Sequence, residues 1–198
     1  MKPHTARAKT LAAAVWPAGA ETGFNAMRAG LLALVGSLLV AVSAQLQVPM
    51  VPVPMTMQSF AVLVIGAAYG ARLGAATLLL YMAEGALGLP VFAGMKGGAQ
   101  HLVGPTGGYI VGFVLAAGAV GRLAERGWDR SIVRTTLAML IGKVFIFVPG
   151  VLWLGAVIGM EKAIGAGLVP FIPGIFLKIA LAVAVLPGAW SLIGRKRG

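Results

Sequence analysis

Long apolar runs, separated by short charged, proline-rich or glycine-rich breaks, set the pattern of this chain. They fall at about residues 27–46, 56–70, 72–87, 106–123, 131–154 and 169–193. Most approach the roughly 20 residues that an α-helix needs to cross a hydrocarbon core. The pattern predicts an all-α integral membrane protein with six transmembrane helices over residues 27–194. The run at 56–70 is short for a full span, and its ends are the least defined. Ahead of the first helix, residues 1–26 carry Lys2, Arg7 and Lys9, then a brief apolar stretch stopped by Pro17. Ala18-Gly19-Ala20 imitates a signal-peptidase site, but the apolar stretch before it is shorter than the usual h-region. A basic cytoplasmic tail is the better reading.

Composition agrees. The 198 residues are 59% hydrophobic and 11% charged, where soluble chains carry about a quarter charged residues. Mean hydropathy is +0.94. Cysteine is absent, which excludes disulfides and thiolate metal sites. The net charge of +11 lies in short loops and not along one face, so it encodes topology and not nucleic-acid binding. Counted by side, the N-terminus, the second and fourth connections and the C-terminus hold twelve basic residues, Lys2, Arg7, Lys9, Arg28, Arg72, Arg122, Arg126, Arg130, Arg134, Arg195, Lys196 and Arg197. The other side holds Lys96 and Lys162. The excess of basic residues on cytoplasmic loops then places both termini in the cytoplasm.

Two connections on the outer side stand apart. Residues 47–55 contain prolines at 49, 52 and 54 and no charge, which forbids helix and favours a stiff extended segment. Eight glycines fall between Gly88 and Gly112. Such backbone cannot face lipid, where its polar groups would lack partners, so it packs inside protein, meets water or lines a cavity. A folded loop lining a site is the expectation.

Three ionisable residues lie inside apolar helices: Glu84, Lys143 and Lys178. Charge at that depth is costly and faces a partner, a cavity or the bundle interior. Glu84 and Lys178 both fall toward the outer ends of their helices and are expected at one outward-opening pocket; Lys143 lies deeper. Gln58 and Thr56, below the proline segment, offer donors and acceptors. Tyr81, Tyr109 and Trp153 are candidate walls, although aromatic residues near an interface are also ordinary belt residues. In the first helix, Ala29, Ala33, Ser37 and Ala41 recur every fourth position as a smooth stripe. Such a stripe permits close approach of another helix, of this chain or of a partner.

The runs Val53-Pro-Met-Thr-Met-Gln58, Gly88-Leu-Pro-Val-Phe-Ala-Gly94 and Gly104-Pro-Thr-Gly-Gly-Tyr109 resemble the BioY family. So do Gly150-Val-Leu-Trp-Leu154 and Pro170-Phe-Ile-Pro-Gly174 with Lys178, and the resemblance covers roughly residues 27–194. BioY proteins are the biotin-binding S components of energy-coupling-factor transporters. The resemblance implies the S-component fold, no cofactor, biotin as the transported ligand, and a location in the bacterial cytoplasmic membrane. It also implies two kinds of partner, a transmembrane transducer docking on the stripe of the first helix and a pair of ATP-binding cassette ATPases. The proline segment would serve as a lid.

Biotin carries a carboxylate on an apolar tail and a ureido ring. Lysine suits the carboxylate, and a carboxylate such as Glu84 suits the ureido N–H groups. The ligand-binding set is thus expected among Thr56, Gln58, Tyr81, Glu84, Gln100, Tyr109, Lys143 and Lys178. The chain departs from the family in two places. Ile175 stands where the family's aspartate would be, and Lys143 stands where an amide is common; Glu84 is the candidate for the missing carboxylate. His101, beside Gln100, could touch the ligand, although a loop histidine is more often just solvated.

Absences narrow the function further. Gly142-Lys143 is followed by Val144 and lacks the earlier glycine of a phosphate-binding loop, so ATP must be bound elsewhere. No HExxH and no nucleophile elbow occurs, which argues against a membrane-embedded enzyme. Pro105-Thr-Gly-Gly-Tyr109 is not a potassium-filter sequence. A self-sufficient secondary transporter for biotin or a similar small carboxylate is the alternative function, though inverted repeats are not visible.

Overall fold

The computed structural model describes residues 8–195, and it is helical with one small hairpin. Lys2, Arg7, Lys196 and Arg197 of the charge count lie outside the described residues. Thr10 caps α1 (Leu11–Val15) by accepting the Ala13 N–H. The next helix, α2 (Thr22–Gln45), begins ahead of the expected residue 27. Asn25 exchanges two hydrogen bonds with the Gly19 backbone and Phe24 packs edge-on against Trp16, so side-chain contacts hold this polar turn helical.

The proline segment is extended, as its φ restrictions require. It forms a hairpin in which β1 (Gln47–Val48) pairs antiparallel with β2 (Met55–Thr56), Gln47 opposite Thr56. A tight turn at Gly70, φ +87°, separates α3 (Gln58–Tyr69) from α4 (Ala71–Ala86). Inside the glycine-rich stretch lies a single helical turn, α5 (Ala99–Val103), that the sequence did not announce. Then come α6 (Gly107–Glu125) and α7 (Ile132–Ile158). The connection at 155–168, expected as a loop, is largely helical. Gly159 at φ +89° breaks α7, α8 (Met160–Gly167) follows, and a 3-10 turn at Val169–Phe171 delays α9 (Ile172–Arg195).

Among the described residues, four stretches are long and apolar enough to cross a membrane: Thr22–Gln45, Gly107–Glu125, Ile132–Ile158 and Met160–Ile193. With 12 and 16 residues, α3 and α4 extend only about 18 and 24 Å at 1.5 Å per residue.

The long central helix α6 packs on α3, α4 and α7. Glycines permit its closest crossings: a Cβ at Gly66 would lie 2.7 Å from the Ala117 carbonyl, and one at Gly112 would lie 2.8 Å from the Phe145 carbonyl. One end of the bundle gathers the basic loops. There the Ala71 N–H donates to Glu125 at 2.9 Å, Trp190 Nε1 donates to Asp129 at 2.6 Å, and Arg130 donates to the Ala8 carbonyl at 2.7 Å while stacking on Trp190. Burial pushes the Asp129 carboxyl up, opposed by the Trp190 hydrogen bond and the Arg130 charge. The hairpin, α5 and α8 cover the opposite end.

Candidate functional site

Beneath the hairpin, at the end away from the basic loops, lies a small cavity of about 60 Å³ that opens toward solvent. Its apolar wall comes from Phe92, Tyr109, Ile110, Phe113, Ile146, Phe147 and Phe171, and its roof from Val53 and Pro54. The aromatic wall is rigid, because Phe147 meets both Tyr109 and Phe171 edge-to-face at centroid distances of 5.9 and 5.7 Å. Tyr109 is further fixed by donating its hydroxyl to the Gly167 carbonyl at 2.8 Å. A glycine is required at 167, where a Cβ would sit 2.5 Å from that hydroxyl.

The polar part of the cavity is cationic. Lys178, on α9 and 7% exposed, donates to the Thr56 carbonyl at 2.6 Å and lies 3.5 Å from Ser59 Oγ. Lys143, on α7 and 4% exposed, donates to the same Ser59 Oγ at 2.8 Å. Neither lysine has a carboxylate within 4 Å; among the described residues the sole ion pair is Arg122–Glu125. Two lysine amines therefore meet at one serine, under an apolar pocket, with no carboxylate in reach. Buried cations left so are strongly unfavourable unless a ligand supplies the charge.

Thr56 and Gln58 line the cavity as expected, but their mutual bonds absorb much of their capacity. Thr56 donates to Gln58 Oε1 at 2.9 Å, and Gln58 Nε2 donates to the Tyr81 hydroxyl at 2.6 Å. Tyr81 is fully buried, donates its hydroxyl to the Val91 carbonyl and does not line the cavity; its part is to hold Gln58.

The chain matches the BioY family profile over residues 12–195. It belongs to the BioY family. Among its relatives, the "Probable biotin transporter BioY" of Pyrococcus horikoshii is 42% identical over 147 residues, 74% of this chain and 86% of that one. The "Biotin transporter BioY" of Thermotoga maritima is 39% identical over 148 residues, with the same two coverages. Among solved structures, the S-component for biotin from an ECF-type ABC transporter aligns with a TM-score of 0.75 at 24% identity. That alignment covers 87% of this chain and 95% of the other, and it shows a shared fold.

Within this BioY scaffold several expected residues sit elsewhere. Glu84 does not reach the lysines or the cavity; it accepts the Ser37 hydroxyl at 3.0 Å, joining α4 to α2. Gln100 is exposed on α5, and its neighbour His101 enters the cavity instead. A helical turn rotates successive side chains by about 100°, so only one of the pair faces inward. His101 stacks on Phe92 at 4.9 Å and its Nε2 pairs with the Thr106 hydroxyl at 3.1 Å. Burial, with the nearby Lys96 charge, lowers its pKa. Ile175 packs against the core and lines no part of the cavity, and Trp153 is held outside it by donating to the Gly104 carbonyl at 3.0 Å. Sequence reasoning missed Ser59; the two lysines flagged charge at this depth, but only the convergence of α3, α7 and α9 shows that they share a partner.

The small-residue stripe of α2 turns inward at Ser37, while Ala29, Ala33 and Ala41 are half-buried at its edge. The outward face presents Leu31, Leu34, Leu38 and Val42.

Proposed function

We propose that this chain captures biotin at the outer face of a cytoplasmic membrane and serves as the substrate-specific subunit of an energy-coupling-factor transporter. The observation that carries the reading is the unneutralised pair Lys143 and Lys178 below an apolar, aromatic-walled cavity. An anionic head on an apolar body satisfies both halves of that site, and the names of the relatives point to biotin. The biotin carboxylate would meet Lys178, and the ring system would lie along the aromatic wall near His101. A transducer and ATPases would supply the energy, with the transducer docking along α2 at the Ala29, Ala33, Ala41 edge. The test is uptake of labelled biotin by an auxotrophic host. With transducer and ATPases present, the wild-type chain is expected to import biotin. Ala33→Leu is expected to keep binding yet lose most uptake, because close helix approach is lost. Failure of the purified chain to bind biotin would sink the capture reading, and full uptake without any partner would sink the coupled one.

The proposed topology is six membrane-crossing helices, α2, α3, α4, α6, α7 and α9, with both termini cytoplasmic. The gathering of Lys9, Arg28, Arg72, Arg122, Arg126, Arg130 and Arg134 at one end supports it, as does the opening of the cavity at the other. Cysteines placed at 96 and 162 are expected to react with an impermeant thiol reagent added outside intact cells, and one at 126 is not. The reverse pattern would overturn the orientation.

A further inference from the structure

Ser59 stands between the two buried lysines, and its hydrogen-bond inventory is unusual. A serine hydroxyl has two acceptor lone pairs and one proton to donate. Lys143 Nζ at 2.8 Å and Lys178 Nζ at 3.5 Å occupy the acceptor side. Among the described residues nothing accepts the Ser59 proton, and the side chain lines the cavity. Lys143 itself does not line the cavity. We infer that Ser59 is a carboxylate-binding residue and that Lys143 acts on the ligand only through it. Lys143 donates to Ser59 Oγ from behind, and Ser59 donates its proton forward to the ligand carboxylate beside Lys178.

The physical case is one of orientation and polarisation. With Lys143 donating to the oxygen at 2.8 Å and Lys178 beside it at 3.5 Å, the hydroxyl proton is turned toward the cavity, so the donor is set before the ligand arrives. An ammonium donating to the oxygen also draws electron density from the O–H bond, and chained hydrogen bonds strengthen one another in a low-dielectric interior. The ligand carboxylate then receives two convergent donors, one from Lys178 and one from Ser59, and the second positive charge is felt without being touched. This arrangement selects a terminal carboxylate over a neutral amide or ester, because only the carboxylate brings a negative charge and two acceptor oxygens to the two convergent donors.

The inference rests on the biotin reading, and the experiment separates the two. The full chain, purified from biotin-starved cells and held in lipid nanodiscs, is titrated with biotin and with biotin amide. Wild type is compared with Ser59→Ala, Ser59→Thr, Lys143→Met and the Ser59→Ala/Lys143→Met pair. Ser59→Ala and Lys143→Met are each expected to weaken biotin binding by about 10- to 100-fold, the range for a hydrogen bond to a charged group, and to change amide binding far less. Ser59→Thr keeps the hydroxyl and is expected to keep most of the affinity. The decisive result is non-additivity: in the Ser59→Ala background, Lys143→Met is expected to cost nothing more. Additive losses, or equal losses for acid and amide, would overturn the relay while leaving biotin capture standing. A wild-type protein with no preference for acid over amide would remove the carboxylate reading, and the relay with it. Should Ser59→Ala fail to fold, Ser59→Cys keeps the shape with a weak donor and is held to the same comparison.

Discussion

Lys178→Met will weaken biotin binding by roughly 30-fold to several thousand-fold, the range for deleting one partner of a buried charged contact, and will barely change binding of biotin amide. The lysine is held in place by the Thr56 carbonyl of the hairpin, which accepts from it at 2.6 Å. That bond orients the ammonium but cannot neutralise it. The five acidic residues of the chain all lie elsewhere. Glu84 binds Ser37, Glu125 pairs with Arg122, and Asp129 accepts from Trp190. Glu21 precedes α2, and Glu161 is exposed on α8. The ligand is therefore the available counter-charge, and a methionine of similar length removes the attraction without opening a void. Binding of both ligands by isothermal titration checks this. Equal losses for biotin and its amide would assign Lys178 to folding and move the carboxylate site to Lys143 or Lys96.

What the sequence revealed of this site and what it hid divide along a physical line. Depth in an apolar run is a one-dimensional property, so Lys143 and Lys178 stood out at once as costly and therefore functional. The stiff proline segment was equally plain, because proline restricts φ wherever it sits. Partnership is three-dimensional. Glu84 has the same signature as the lysines, yet its helix turns it toward α2 and Ser37. His101 and Gln100 differ only by rotation about a single helical turn, in which His101 stacks on Phe92. Ser59 carried no signal at all, since a serine beside glutamine at a helix start is ordinary. The glycine-rich stretch was half legible. Its earlier part does border the cavity through Phe92, Ala93 and His101. Its last glycines do something else, for Gly107, Gly108 and Gly112 lie within α6, where Gly107 packs on the Leu102 carbonyl of α5 and Gly108 and Gly112 let the helix approach α7.

That role sets opposite signs for two glycine-to-alanine changes in α6. Pro149 lies inside α7, and a proline cannot donate to the carbonyl four residues earlier, which here belongs to Phe145. Gly112 packs directly on that carbonyl: an added Cβ would meet the Phe145 oxygen at 2.8 Å and the Ile146 Cα and oxygen at 2.9 Å. All three are backbone atoms, so no rotamer change relieves the clash, and α6 and α7 must separate. The cost is that of overpacking, about 1–3 kcal/mol, or roughly 2–12 °C in Tm for a chain of this size. Ile146 lines the cavity, so the same displacement loosens the aromatic wall and weakens biotin as well. Gly118, nearly two turns further along α6, offers the control. A Cβ there would meet only the Ala75 methyl carbon, at 3.8 Å, an ordinary contact. Alanine at 118 gains helix propensity of about 0.5–1 kcal/mol and loses nothing in packing. Thermal unfolding in nanodiscs is expected to show Gly112→Ala well below wild type and Gly118→Ala at or above it. Equal shifts in the two variants would mean that the α6–α7 crossing is not held by the glycine contact on Phe145.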